Sequence, residues 1–137
     1  MKRVTADTNI WISALVFGGK PQQLLDLAID GEVEIAFSDA ILEETLRVLR
    51  DKFKRSPEQL TQAEGYMRGI GRHVTPTEKI EVVARDPDDD AIVECAVAAG
   101  SEAIITRDDD LLTLGSFGGI EMMTVADFLR RGEGVVR

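Results

Sequence analysis

Short β-prone runs alternate with helical stretches along this whole chain, and that alternation leaves few architectures open. The β-prone runs are Val4-Thr5-Ala6, Val33 to Phe37, Ala103 to Thr106 and Ile120 to Met123, with a further extended stretch from His73 to Ala84 interrupted at Pro76. Between them lie segments of helical period with recognisable ends. Asp7 or Thr8 opens a helix through Ile10, Ile12, Leu15 and Val16, in which Trp11 and the following Phe17 read as packing residues. Pro21 opens the next, whose apolar face of Leu24, Leu25, Leu27, Ala28 and Ile29 ends at Gly31. Ser38 offers a cap to a helix from Asp39 to about Phe53, with Leu42, Leu46, Leu49 and Phe53 at helical spacing. Ser56-Pro57-Glu58-Gln59 combines a cap, a first-position proline and a capping box, and starts a helix that Gly71 ends. Leu111 to Leu114 forms a short helix. Thr124 with Asp127 opens the last one, with a frayed tail from Gly132.

This is the pattern of a parallel sheet covered on both faces. The expected fold is therefore α/β: a three-layer α/β/α sandwich around a central, mostly parallel sheet of four to five strands, in a single domain over residues 1–137. Right-handed crossovers place the C-terminal ends of such strands on one edge, and that edge is where open α/β sheets bind ligands. Asp7 and Asp108 each stand just past a strand's end.

The most unusual stretch runs from Asp86 to Asp110, DPDDDAIVECAVAAGSEAIITRDDD. Asp86 suits an N-cap, Pro87 the first helical position, and Asp88 and Asp89 the first turn of a small-residue helix that Gly100 ends. Capping and dipole contacts, worth roughly 0.5–2 kcal/mol for a cap, account for several of these acids. Asp108 or Asp109 can likewise cap the short helix at Leu111. Capping does not call for three consecutive aspartates twice, and like charges so close need water or a metal to offset their repulsion.

Composition narrows the chemistry. A net charge of −9 argues against holding nucleic acid by bulk charge alone, but not against a nuclease whose acids gather at a metal. One histidine, His73, excludes a multi-histidine zinc site within the chain, and the lone Cys95 reads as buried packing. Carboxylates without histidine or cysteine describe a site for a hard cation, Mg²⁺ or Mn²⁺. No apolar run approaches the ~18 residues of a membrane span, and no signal-peptide core precedes Asp7, so no membrane association and a cytoplasmic location are expected. The basic residues Arg47, Arg50, Lys52, Lys54 and Arg55 suit a helix C-terminus, or phosphate or partner binding. Periodicity does not choose between Glu43 and Glu44.

Asp7-Thr8-Asn9 after the first strand, Ser38 with Glu44 six residues on, Asp90-Ala91-Ile92 opening a small-residue helix, and Ile105-Thr106-Arg107-Asp108 resemble, in this order, the PIN domain. The resemblance spans Arg3 to about Leu129. It implies a metal-dependent nuclease, of a kind that includes many toxins of VapC-type toxin–antitoxin pairs. It selects Glu44 over Glu43 and Asp90 over Asp88 and Asp89. Carried over residue by residue, it gives Asp7, Glu44, Asp90 and Asp108 as metal-holding and catalytic, with Thr8, Asn9 and Thr106 orienting them and Asp110 sharing or replacing the role of Asp108. Mg²⁺ or Mn²⁺ as cofactor, RNA as substrate, an antitoxin protein as partner and a homodimer are the accompanying expectations. Other readings fit less well. A receiver-like signalling domain needs a lysine near the last strand, and the last lysine here is Lys79. A haloacid-dehalogenase-like phosphatase needs an aspartate where Asn9 stands. A catalytically silent PIN-fold interaction protein would be expected to lack one of the four acids.

Overall fold

Two strands a hundred residues apart in sequence form the middle of the sheet. In the computed structural model, which describes residues 2–81 and 87–136 with side chains as far as Arg131, β1 (Lys2–Ala6) pairs in parallel with β4 (Ala103–Ile105). On the other side of β1 lies β2 (Val33–Phe37), also parallel, and beyond it β3 (Arg72–His73). Past β4 come β6 (Ile120–Met123), parallel, and β5 (Ser116–Phe117), antiparallel to β6. The strand order is β3-β2-β1-β4-β6-β5. The α/β sandwich expected from the alternation is present, with six strands rather than four or five.

The additional strands are two-residue pieces that carry no alternation of their own. Of the stretch from His73 to Ala84, only His73 belongs to a strand among the described residues; Val82 to Ala84 lie outside them. β5 exists because Gly118 and Gly119, both at positive φ, turn the chain back onto β6.

The helices fill the connections. α1 (Thr8–Val16) and α2 (Gly19–Ile29) join β1 to β2, while α3 (Asp39–Asp51) and α4 (Pro57–Ile70) join β2 to β3. α5 (Pro87–Ala99) leads into β4, α6 (Asp109–Leu114) follows it, and α7 (Val125–Val136) closes the chain. Right-handed crossovers place α1 to α4 on one face and α5 and α6 on the other. α7 packs on α2, and α5 crosses β1, β2 and β4. α2 begins two residues before Pro21, α3 stops at Asp51 rather than Phe53, and α7 continues through Gly132 to Val136 where fraying was expected.

Most of the expected end signals operate, although Asp7 stands at the N-cap of α1 without a side-chain cap bond. Ser56 Oγ accepts from the Gln59 amide at 3.1 Å while Gln59 Oε1 accepts from the Ser56 amide at 2.8 Å, so both halves of the capping box form. Ser38 caps α3 through the Ile41 amide. Gly100, at φ 65, supplies the left-handed residue after α5, and the Ser101 amide donates back to Ala96. Gly71 serves differently: a Cβ there would meet the Met67 carbonyl and the Phe37 ring at 2.9 Å, so α4 needs a glycine to enter β3 beside Phe37.

The core holds the sheet to both helical layers. Trp11, Leu24, Leu25, Phe37, Ile35, Ile92, Ile104 and Leu111 are fully buried, each of the aliphatic ones worth about 1.5–3 kcal/mol relative to exposure. Trp11 meets Phe37 edge-on at 6.1 Å. Phe17 departs from expectation: it is 75% exposed and touches Phe53 rather than the core.

Candidate metal centre

The strand order reverses between β1 and β4. β1 connects outward to β2 on one side, and β4 begins the run toward β6 on the other. Such a switch point leaves a crevice at the strands' C-terminal ends. The Asp7 amide, at β1's end, donates to the Ile105 carbonyl at 2.9 Å, so the two chain segments are locked side by side there.

Thr106 is the hinge of the site. Its hydroxyl, fully buried, donates to Asp7 Oδ2 at 2.7 Å and accepts from the Asp108 amide at 2.9 Å. One threonine thus orients an acid from β1's end and one from β4's end. Asp7 is buried at the start of α1. Burial pushes its carboxyl above the usual range; the Thr106 hydroxyl and the neighbouring Thr8 amide pull against that, and Asp108 adds repulsion. Asp108 has two roles: Oδ2 caps α6 by accepting from the Leu111 amide at 2.9 Å, and the carboxylate also faces the other acids.

Carboxylate oxygens of Asp89, Asp108 and Asp110 lie within 4.8 Å of one another. This group is the densest set of possible metal ligands among the described residues. Family resemblance points to Asp90 in the preceding run; the structure instead brings Asp89 into the group, 5% exposed, and leaves Asp90 half-buried outside it. The reason is helical phase. The buried stripe of α5 is Ile92, Val93, Ala96 and Ala99, and Asp89 stands three residues before Ile92 and four before Val93, on the same face. Asp90 is rotated by about 100° from it. Asp86, the expected cap, lies outside the described residues. Asp110, exposed in the first turn of α6, joins Asp108, while Asp109 between them, exposed as well, stays outside the group.

Glu44 approaches from α3. The Thr8 hydroxyl donates to its Oε2 at 3.4 Å, which ties α3 to the residue after Asp7. Desolvation raises the Glu44 pKa, Asp88 and then Asp7 add repulsion, and Arg47 offsets part of it. Glu44 therefore faces both Asp7 and Asp88. It also lines a pocket of about 190 Å³ between α3 and α5, with Ile41, Ala91 and Ile92 on its apolar side and Glu43, Arg47 and Asp88 at its polar rim. Of the orienting residues expected from sequence, Thr8 and Thr106 are in place with hydrogen bonds, and Asn9 is exposed on the first turn of α1. Cys95 is a buried bystander, its thiol pushed up to about 11 mainly by desolvation.

The donors here are carboxylate oxygens with no histidine or thiolate among them, which fits a hard divalent cation and not zinc or copper. Arg107, beside the group, is exposed and donates to Ser13 Oγ at 3.1 Å.

The PIN-domain family model matches residues 3–110, which include every one of these acids. The chain belongs to the PIN-domain family. A search of curated proteins finds no match to it. Among solved structures, this PIN domain is similar to VapBC2 from Rickettsia felis, bound to a DNA fragment from their promoter: 14% identity, TM-score 0.63, covering 88% of this chain and 96% of that one. It is also similar to Mycobacterium tuberculosis VapC20, a sarcin-ricin loop cleaving toxin: 16% identity, TM-score 0.56, covering 86% of this chain and 98% of that one. At these identities the likeness establishes a shared PIN fold.

Proposed function

We propose that this PIN domain is a Mg²⁺- or Mn²⁺-dependent ribonuclease that hydrolyses phosphodiester bonds. The observation that carries the reading is the meeting of Asp89, Asp108 and Asp110 at the β1–β4 switch point, beside the buried Asp7. These four hold the ion in this reading, with Asp89 taking the place first given to Asp90, and Glu44 borders it from α3. When bound, a divalent ion supplies Lewis acidity toward a phosphoryl oxygen and lowers the pKa of water to the neutral range.

The chain's own residues do the rest. Thr106 fixes Asp7 and the backbone of Asp108 relative to each other, and Thr8 holds Glu44 against the same edge. Arg107 and Arg47 offer cations on either side for substrate phosphates. RNA is preferred as substrate because one protein sharing the fold is a sarcin-ricin loop cleaving toxin. The VapBC2 likeness supports a toxin's role and an antitoxin partner. A homodimer belongs to the same proposal, and sedimentation at several concentrations tests it. No described helix is long and apolar enough to cross a membrane.

The test of activity is direct. Purified protein cuts single-stranded RNA with Mn²⁺ or Mg²⁺, and EDTA stops it. Cleavage that survives chelation, or that survives Asp89→Asn and Asp108→Asn together, overturns the proposal.

A further inference from the structure

The acids of the cleft stand beside the first half of α3, and a cluster of cations stands around its C-terminal end, with Asp51 the acid among them, paired with Arg50 at 2.7 Å. Residues 47–55 carry Arg47, Arg50, Lys52, Lys54 and Arg55, five of the chain's 16 lysines and arginines, in a protein of net charge −9. Arg47, Arg50, Lys52 and Lys54 are exposed. Glu43, Arg47 and Arg50 recur at four and three residues, so they form one stripe leading away from the pocket beside Glu44, and Lys52 and Lys54 follow it in the chain past the end of α3 at Asp51. From Glu44 to Asp51, the end of α3, the rise is about 10 Å.

At the far end of the stripe stands an aromatic pair. Phe17, at the C-cap of α1, meets Phe53 edge-on at 5.9 Å and remains 75% exposed, more than Ile29 or Leu114, the other exposed large apolar residues among those described. The Lys52 ammonium lies 5.7 Å from the centre of the Phe53 ring.

The helix dipole explains a cation in the last turn, such as Arg50, but its effect fades within that turn. It does not explain Lys52, Lys54 and Arg55 beyond it, nor the exposed Phe17 ring set against the half-buried Phe53. Lys54 is also the one non-glycine residue at positive φ among those described, at φ 55. Glycine adopts that conformation without strain. A lysine here keeps a cation where local backbone preference would have removed it.

Exposed rings interleaved with cations are the chemistry of single-strand binding: bases stack on the rings and phosphates meet the ammonium and guanidinium groups. We propose that Phe17 and Phe53, with Arg47, Arg50, Lys52 and Lys54, form a surface that binds single-stranded RNA outside the acidic cleft and leads it along α3 to the cleft. This rests on the ribonuclease reading for what happens at the cleft, and on the patch alone for binding.

The probe is a fluorescein-labelled oligouridine 20-mer, its binding measured by anisotropy in EDTA, where cleavage plays no part. The parent binds, with an affinity that falls as salt rises. Lys52→Glu with Lys54→Glu weakens binding by tenfold or more and flattens the salt slope by about 1.4, at ~0.7 per single-strand contact. Phe17→Ala weakens it about fivefold or more, the lower range for one lost stacking contact. Lys54→Gly is the sharpest variant, because it relieves the left-handed backbone while deleting the cation: its melting temperature holds or rises while binding weakens. In Mn²⁺, each variant raises KM for the 20-mer by the factor seen in binding and leaves kcat unchanged.

Variants that bind as the parent does overturn the surface, whether or not the protein cleaves RNA. Patch-dependent binding without cleavage by any protein upholds the surface and removes the ribonuclease reading. Displacement of the 20-mer by polyglutamate at equal charge concentration overturns the RNA assignment in favour of an acidic protein partner, since polyglutamate has no base to stack.

Discussion

The chain contains the tripeptide Asp-Asp-Asp twice, at 88–90 and at 108–110, each time at the start of a helix, and the structure uses the two differently. In the first, the middle aspartate turns inward. In the second, the half-buried Asp108 and the exposed Asp110 join the same group, and the middle one, also exposed, stays outside it. The residues are identical, so the difference comes from where the helix begins. Pro87 opens α5 one residue before its triplet, which puts Asp89 in the third helical position, in line with Ile92 and Val93. Asp108 is itself the cap of α6, so the second triplet starts two steps earlier in phase, and its first carboxylate stays at the sheet's edge. What an acid does at a helix start is therefore decided by register against the buried face, not by its neighbours in sequence.

That contrast breaks most readily at Asp89. Asp89→Asn is expected to lower cleavage of single-stranded RNA by more than about 100-fold, beyond the ~10–100-fold that partners of metal ligands typically cost. Asp90→Asn is expected to lower it by less than about threefold. Equal losses in the two variants, measured as kcat/KM in Mn²⁺, would undo the assignment by phase.

Metal addition gives the next effect. An ion that binds only the folded state adds RT ln(1 + [L]/Kd), on the order of 2.7 kcal/mol at a hundredfold excess over Kd. Thermal melts with and without Mn²⁺ should show this rise for the parent and for Asp109→Asn, and a much smaller one for Asp110→Asn. A full response in Asp110→Asn would confine the site to Asp7, Asp89 and Asp108.

Thr106→Val sharpens the picture from below. It keeps the shape but takes one hydrogen bond from the Asp7 carboxylate and the partner of the Asp108 amide, at a cost of about 1–3 kcal/mol in urea unfolding. No change in stability would mean that the threonine does not link the two strand ends.

The smallest effect separates the two roles of Asp108. In EDTA, Asp108→Asn keeps a good cap and removes a repelling charge, so stability holds or rises, whereas Asp108→Ala loses about 0.5–2 kcal/mol with the cap. Both lose the Mn²⁺ response. If both variants melt alike in EDTA, the cap contributes nothing measurable.

Much of this was legible before the structure. The alternation of β-prone and helical runs gives the parallel sheet, and the order of strand ends brings Asp7, Thr106 and Asp108 to one edge. Ser38, Ser56 with Gln59, Gly71 and Gly100 mark helix ends where they were expected. β3 and β5 were not legible, because two-residue strands are set by the neighbour they pair with. Asp89 was legible in principle: extending the Ile92, Val93, Ala96 stripe backward by one turn reaches it from both Ile92 and Val93, and reaches Asp90 from Val93 alone. Phe17 reads as core because it is apolar and follows an apolar helix, and nothing local shows that α1 ends at the surface.

The pairing of β1 with β4 has a consequence for how the molecule comes into being. The Thr106–Asp7 contact spans 99 residues of chain. Nearly all of that chain must be confined before the contact forms, and contacts so distant in sequence form slowly compared with helices. α1 to α4 can form while the acids at the two strand ends are still far apart. Manganese affinity should therefore appear late in refolding, after most of the helical signal has returned, and a growing polypeptide has no complete cation site until its second aspartate triplet has been made.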